Sequence, residues 1–286
     1  RDIGWNYLMS TLPNSIILNY GDNDTFPLWN NQEVYGVRPD VRIMNTSYLG
    51  GEWYIDEMKT KANDAPGVPF SLPKHKYTFN NDMIYVTNSI DRPVEIKEVI
   101  DFVRSDDPRS QLKLSDGSMT DYIPTKRIAL PVNKENAIAS GIVAEKDRDK
   151  MVDTVYINLK KNSLDKNQLM ILDMLANFDW KRPIYFTQFS SPASLGLKDY
   201  LQLDGFAYRF VPIRTPSAPA KKTSDYLKVG RIDSEYLYDK LMNQFRYGNI
   251  DDPRVYADHT IQTNFRATFT RGLYAQLADQ LLAEGD

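Results

Sequence analysis

Cysteine is absent from the chain, and histidine occurs only twice, as His75 and His259. The first absence removes disulfides, thiol nucleophiles, cysteine-type zinc sites and iron–sulfur clusters. The second leaves no room for a multi-histidine metal site, and a Ser-His-Asp triad would have to use one of those two residues. No apolar run approaches the roughly 18–20 residues that span a bilayer. An excess of charge of one sign is missing as well. Lys and Arg number 35 against 38 Asp and Glu, a net charge of −3, which leaves no electrostatic footprint for nucleic acid or an anionic membrane. There is no Gly-x-Gly-x-x-Gly, no Gly-x-x-x-x-Gly-Lys and no Gly-x-Ser-x-Gly, so dinucleotide, P-loop and nucleophile-elbow chemistry lose their main support. A signal peptide is not seen. The chain opens on Arg1 and reads at once as a folded element, which predicts a segment excised from a longer protein.

What is present is ordinary for a globular protein: 286 residues, 42% hydrophobic and 26% charged, enough for one large or two modest domains. Ile3, Tyr7 and Leu8 share a face and predict a helix over 2–12. The β-branched run Ser15 to Tyr20 predicts a buried strand. Gly21-Asp22-Asn23-Asp24-Thr25 is turn chemistry, and Pro27 marks the start of a helix that ends at Gly36. A second strand is predicted over Val41 to Asn45 and a helix over Glu52 to Lys61. Strands alternating with helices imply a three-layer α/β fold with a mostly parallel, Rossmann-like sheet. The short helix between the first two strands suits a right-handed crossover, placing the first strand in the interior, parallel to the second.

The alternation continues with a strand at Met83 to Thr87, a helix at Val94 to Arg104 and strands at Arg127 to Val132 and Thr154 to Leu159. Ser105 to Tyr122 is polar and turn-rich and reads as a loop. Asp165 is a good N-cap for a helix running to Phe178, and Pro183 to Thr187 follows as a strand. Phe206, Tyr208 and Phe210 recur at strand period within Leu203 to Ile213. The stretch 214–230 reads as a linker or exposed loop. It separates an α/β domain, 1–213, from a helical extension, 231–286. In that extension Phe265, Phe269, Leu273, Leu277 and Leu281 form a stripe that must pack on something.

The densest chemistry sits between the first strand and the next helix. Ligands of open α/β sheets bind at the carboxyl ends of strands, and Asp22 and Asp24, two apart on a turn, could share a divalent cation with a diphosphate. The same residues are equally the stuff of a capped turn, with Asp24 or Thr25 capping the helix near Pro27. No Gly at the sixth position and no Glu at the twelfth exclude an EF-hand. Trp5, Trp29, Trp53 and Tyr54 crowd the first 60 residues, and such rings around a carboxylate turn can hold sugar faces or simply fill a core. Asn45 ends the second strand and would neighbour the turn. The ligand-binding candidates are therefore Asp22, Asn23, Asp24, Thr25, Trp29, Asn45 and Trp53. Asp22 and Asp24 are the only metal candidates, and no cofactor is expected beyond that cation. His75 and His259 have no sequence-local partner. Asn23-Asp24-Thr25 and Asn45-Thr46-Ser47 match the N-glycosylation pattern, which matters only in a eukaryotic secreted chain.

The strings Asn19-Tyr20-Gly21-Asp22-Asn23-Asp24-Thr25-Phe26-Pro27-Leu28-Trp29, Trp53-Tyr54-Ile55-Asp56, Trp180-Lys181-Arg182-Pro183-Ile184-Tyr185-Phe186 and Asp204-Gly205-Phe206-Ala207-Tyr208-Arg209 resemble the soluble C-terminal region of a family of large multi-spanning membrane proteins. That family is abundant in Bacteroidota, and its animal relative is an endoplasmic-reticulum protein O-mannosyltransferase. The last helix, Leu273 to Asp286, resembles the first helix of a tetratricopeptide-type repeat. The resemblance implies an accessory module of a membrane glycosyltransferase on the periplasmic face of a Gram-negative inner membrane. Its partners would be the transmembrane module of the same parent chain and an acceptor protein or glycan. The catalytic carboxylate would lie in the membrane half, and no catalytic residue is carried over to this one. A self-contained metal-dependent sugar- or phosphoester-handling domain using Asp22 and Asp24, and a protein-interaction platform, are the alternatives.

Overall fold

β-Branched and long aliphatic residues in Ile16-Ile17-Leu18 have no polar face to present to water, and they form an interior strand of the main sheet, β1 (Ile16–Asn19), with every residue buried. In this computed structural model residues 1–78, 81–188, 190–216, 229–249, 252–256, 259 and 270–285 are described. Before β1 comes α1 (Asp2–Met9); after it come α2 (Asp22–Trp29), a π-helical turn (Asn30–Val34), β2 (Arg42–Asn45) and α3 (Glu52–Met58). The middle of the chain holds β3 (Met83–Val86), β4 (Val94–Glu95), α4 (Ile96–Arg104), β5 (Gln111–Lys113), β6 (Met119–Ile123), β7 (Arg127–Pro131), α5 (Lys134–Ala139), β8 (Thr154–Asn158), β9 (Ser163–Asp165) and α6 (Lys166–Asn177). Then follow β10 (Ile184–Phe186), α7 (Ser190–Ser194), β11 (Leu201–Leu203), β12 (Tyr208–Phe210), β13 (Arg231–Ile232), α8 (Ser234–Asp239) and α9 (Arg271–Glu284).

The main sheet has six strands in the order β13-β11-β12-β10-β1-β2. β1 is interior and runs parallel to β2, with Ile16 opposite Arg42 and Asn19 opposite Asn45. It is also parallel to β10. β11 and β13 are parallel too, but β12 is antiparallel to both β10 and β11, so the sheet is mixed and the architecture is mixed α/β. The reason is local. Leu203 to Ile213 is not one strand but a hairpin, β11–β12, turned by Gly205 at φ 112°, and a tight turn allows only antiparallel neighbours. Ser105 to Tyr122 differs too. It supplies β5 and β6, an antiparallel pair in a second, four-stranded sheet with β3 and β9. β4, β7 and β8 form a third sheet.

Both faces of the main sheet are buried, because alternate residues of β1 enter different cores. Ile16 and Leu18 join Met44, Ile184 and Phe186 against α3, α4 and α6. Ile17 joins Ile43 and Tyr185 against α1, α2, α8 and α9. Leu273 and Leu277 of the predicted terminal stripe lie in that second core, and Leu281 packs at its margin; Phe265 and Phe269 fall outside the described residues. Each fully buried Leu or Ile side chain contributes roughly 1.5–3 kcal/mol. α1 and α2 meet closely at Gly4, where a Cβ would come within 2.1 Å of the Pro27 carbonyl. The hairpin carries a buried ion pair, Arg209 Nε to Asp204 Oδ2 at 2.8 Å, and Tyr185 Oη donates to the same carboxylate at 2.9 Å. Asp165 caps α6 as read, in a reciprocal box with Gln168.

Candidate functional site

Gly21 leaves β1 at φ 77°, a conformation that favours glycine, and serves as the N-cap of α2. The helix therefore begins at Asp22, not near Pro27. Pro27 lies inside α2, and the chain widens into the π-helical turn three residues later. Starting the helix early changes the geometry of the acidic pair. Asp22 and Asp24 both fall in the first turn, where the positive helix end favours carboxylates, but only Asp24 is buried.

Asp24 is 4% exposed. Its Oδ2 accepts from Tyr20 N–H at 3.2 Å and from the Thr187 hydroxyl at the end of β10. It thus ties α2 to two strand ends and does not cap a helix near Pro27. Burial pushes its carboxyl above the ordinary carboxylate range, while the bonds from Thr187 and Tyr20 pull it back. Thr25 Oγ1 donates to Gly21 O and accepts from Asn19 and from Asn45 Nδ2 at 2.9 Å. Asn45 Oδ1 accepts from Ser47 N–H at 2.8 Å. Asp24, Thr25 and Asn45 are thus engaged within the body, where they hold β1, β2, β10 and α2 in register. The buried Asn45 side chain is closed to glycosylation in the folded chain.

Asp22 and Asn23 stay exposed at the carboxyl end of β1. Beside them runs an arc of rings. Phe26 and Trp29 have centroids 6.1 Å apart, Trp29 and Tyr48 6.2 Å, and Tyr48 and Trp53 6.4 Å. Tyr54 stands edge-on beneath both Tyr48 and Trp53. Phe26 is 53% and Trp53 61% exposed, an unusual amount of ring surface to leave in water. Residue spacing brings Phe26 and Trp29 to one side of α2; the turn after β2 delivers Tyr48, and the first turn of α3 delivers Trp53, to the same place. Phe26, Tyr48 and Thr187 are the members of this region that sequence reading missed. Position was the available signal: Thr187 directly follows β10, Tyr48 opens the turn after β2, and Phe26 sits in the helix that follows β1.

The other singled-out residues lie elsewhere. Trp5 donates its indole N–H to Gln244 O at 3.0 Å and stacks under Arg246 at 3.3 Å, fixing the C-terminal segment to α1. His75 is paired with Asp106 at 3.0 Å, and His259 is exposed. Among the described residues no group of three or more His, Cys, Asp or Glu is placed to hold a metal ion. Asp22 and Asp24 do not converge, because one faces solvent and the other the interior.

No curated protein and no solved structure matches the chain. The family described as TMEM260-associated domain 2 matches residues 1–236, from α1 through β13 into α8. That span covers well over half of the sequence and contains the whole strand-end site, and on it this chain belongs to the TMEM260-associated domain 2 family.

Proposed function

We propose that this chain is the extramembrane recognition module of a larger membrane glycosyltransferase of the protein O-mannosyltransferase kind, holding an acceptor protein or glycan at the carboxyl ends of β1 and β2. The observation that carries this is the arc Phe26–Trp29–Tyr48–Trp53 beside Asp22 and Asn23, whose end rings, Phe26 and Trp53, are left in water while Trp29 and Tyr48 are half-buried. Flat ring faces suit the apolar C–H faces of sugars and the side chains of a peptide. The Asp22 carboxylate and Asn23 amide are free to meet hydroxyl groups. Membership of a family named for its association with TMEM260 supports the accessory role.

None of the described helices is long and apolar enough to cross a membrane. On this proposal the membrane anchor and the catalytic carboxylate belong to a transmembrane module of the same parent chain, with the present region on the periplasmic side of a Gram-negative inner membrane. A self-contained metal-dependent reaction at Asp22 and Asp24 is the less favoured proposal, since the Asp24 carboxylate is committed to Tyr20 and Thr187.

The test is binding of methyl α-mannoside, mannosylated peptides and their unglycosylated counterparts to the purified chain. Binding that is lost in Trp53→Ala, with an unchanged melting temperature, is the expected result. Failure of wild type to bind any of them sinks recognition by the arc, and binding of unglycosylated protein alone favours an interaction platform.

A further inference from the structure

β8 is the last strand of the third sheet, and its outer edge is open. It runs antiparallel to β7, with Ala129 opposite Tyr156. Leu159 N–H donates to Lys126 O at 2.8 Å and Val132 N–H to Asp153 O at 3.0 Å, so the odd-numbered residues of β8 bond to β7. By the two-residue period the main-chain groups of Thr154, Tyr156 and Asn158 face away from it. Both ends of that edge are closed. Val152 N–H donates to Pro212 O at 2.9 Å. At the other end Gly196 lies against the strand, where a Cβ would come within 3.2 Å of both the N and the O of Asn158. Between these ends the N–H and C=O of Thr154 and Tyr156 meet no protein group among the described residues.

The four groups border a cleft of about 600 Å³ that Asp199, Tyr200 and Arg214 also line. Those residues are held in place, since Val211 N–H donates to Tyr200 O at 2.9 Å and Thr215 N–H to Asp199 O at 2.7 Å. The run Thr154-Val155-Tyr156-Ile157-Asn158-Leu159 is uncharged and rich in strand formers. It lacks the Lys or Pro with which edge strands commonly turn other strands away. β2, the edge beside the arc, differs: Val41 N–H donates to Arg38 O and Asn45 N–H to Tyr54 Oη, closing it on both sides of Ile43.

Donors and acceptors repeated two residues apart on one edge are the complement of another extended main chain. The N–H and C=O of Thr154 are met by the C=O and N–H of one ligand residue, and those of Tyr156 by the ligand residue two positions away. In an extended chain the N–H and C=O of one residue belong to successive peptide groups and point the same way, so all four bonds form together. Pro212 and Gly196 stand where a neighbouring strand would continue, so the occupant is a short segment that enters and leaves the cleft. The β8 of a second copy, flanked by its own Pro212 and Gly196, does not fit that space.

We propose that the β8 edge is a docking site for a short extended segment of an acceptor protein, held through its main chain by Thr154 and Tyr156. That the segment belongs to an acceptor protein rests on the recognition function proposed above; the pairing at β8 does not, and it uses none of the arc residues.

The test is an amide-resolved NMR titration of the whole chain with a capped, uncharged tetrapeptide of alternating threonine and valine. The same peptide N-methylated at every amide, which keeps the side chains and removes the donors, is titrated in parallel. The Thr154 and Tyr156 amide signals are expected to shift with the first peptide, and the methylated one to bind at least tenfold more weakly. Thr154→Pro, at an edge position of the kind that accepts proline, is expected to weaken binding by a similar factor. If that variant does not fold, the methylated peptide decides the matter. Silence at Thr154 and Tyr156 at millimolar peptide, or equal binding of both peptides, overturns the site. Concentration-dependent shifts of these amides without peptide overturn it in favour of a second copy. Shifts confined to Phe26 and Trp53 overturn it while leaving the arc as a recognition surface. Shifts at Thr154 and Tyr156 that persist in Trp53→Ala support it, whatever becomes of sugar binding at the arc.

Discussion

The phenolic oxygen of Tyr54 lies 2.8 Å from the backbone nitrogen of Asn45, so a helix side chain closes part of the open edge of β2. This one contact joins α3 to the edge strand, and the same Tyr54 ring packs against Tyr48 and Trp53 of the arc. Burial pushes the Tyr54 hydroxyl up to about 12, and it stays neutral across the physiological range.

Tyr54→Phe should leave the Asn45 N–H buried without an acceptor. The expected cost is about 1–3 kcal/mol, read by chemical denaturation with an unchanged m-value. A loss below a few tenths would mean that the edge relaxes to find another partner.

Asp24→Ala removes the acceptor shared by Tyr20 N–H and Thr187 Oγ1 and should lower stability by about 1–3 kcal/mol. Asp24→Asn tests the charge. The folded-state pKa is raised, so the folded form favours the neutral acid. That stabilisation is fully present below the ordinary aspartate pKa of about 3.9 and is lost as pH rises through the raised value. From mildly acidic to neutral pH, wild type should therefore lose stability relative to Asp24→Asn. Parallel stability–pH curves for the two proteins would contradict this.

Asp22→Asn should behave in the opposite way. Asp22 is exposed, and surface substitutions of this kind change stability by about 0.5 kcal/mol or less. Thermal melts should coincide with wild type, while complementation by the full parent protein should fall. Full activity in cells would leave the exposed carboxylate without a role in recognition.

Leu277→Ala should cost about 2–5 kcal/mol, because Leu277 is 2% exposed and shares a core with Tyr7, Ile17 and Tyr185. A single cooperative transition shifted down as a whole is the expected outcome. Early melting of α9 alone, with the rest of the chain unchanged, would show that the helix is not part of the same cooperative unit.

Much of the frame was legible because it depends on local chemistry. The apolar run Ile16 to Leu18 could only be buried, and the short crossover after it dictated a parallel partner in β2. Asp165 and Gln168 announced the start of α6 through a reciprocal cap that needs no distant residue. The acidic turn and its aromatic neighbours were visible as a cluster for the same reason: residues close in sequence at a strand end stay close in space.

Tertiary structure decided which of those residues remain available. Asp24 and Thr25 read as possible ligands or caps until Thr187 and Asn45, brought in by β10 and β2, drew them inside. Trp5 belongs to the same stretch of sequence as Trp29 and Trp53, yet α1 carries it away to Gln244 and Arg246. The antiparallel hairpin at Gly205 and the joining of Tyr48 to Trp29 depend equally on strand order. Hydrophobic period and turn chemistry fix what each segment can form. Which side chains face one another across 20 or 160 residues depends on how the two cores close around β1, and no local pattern encodes that.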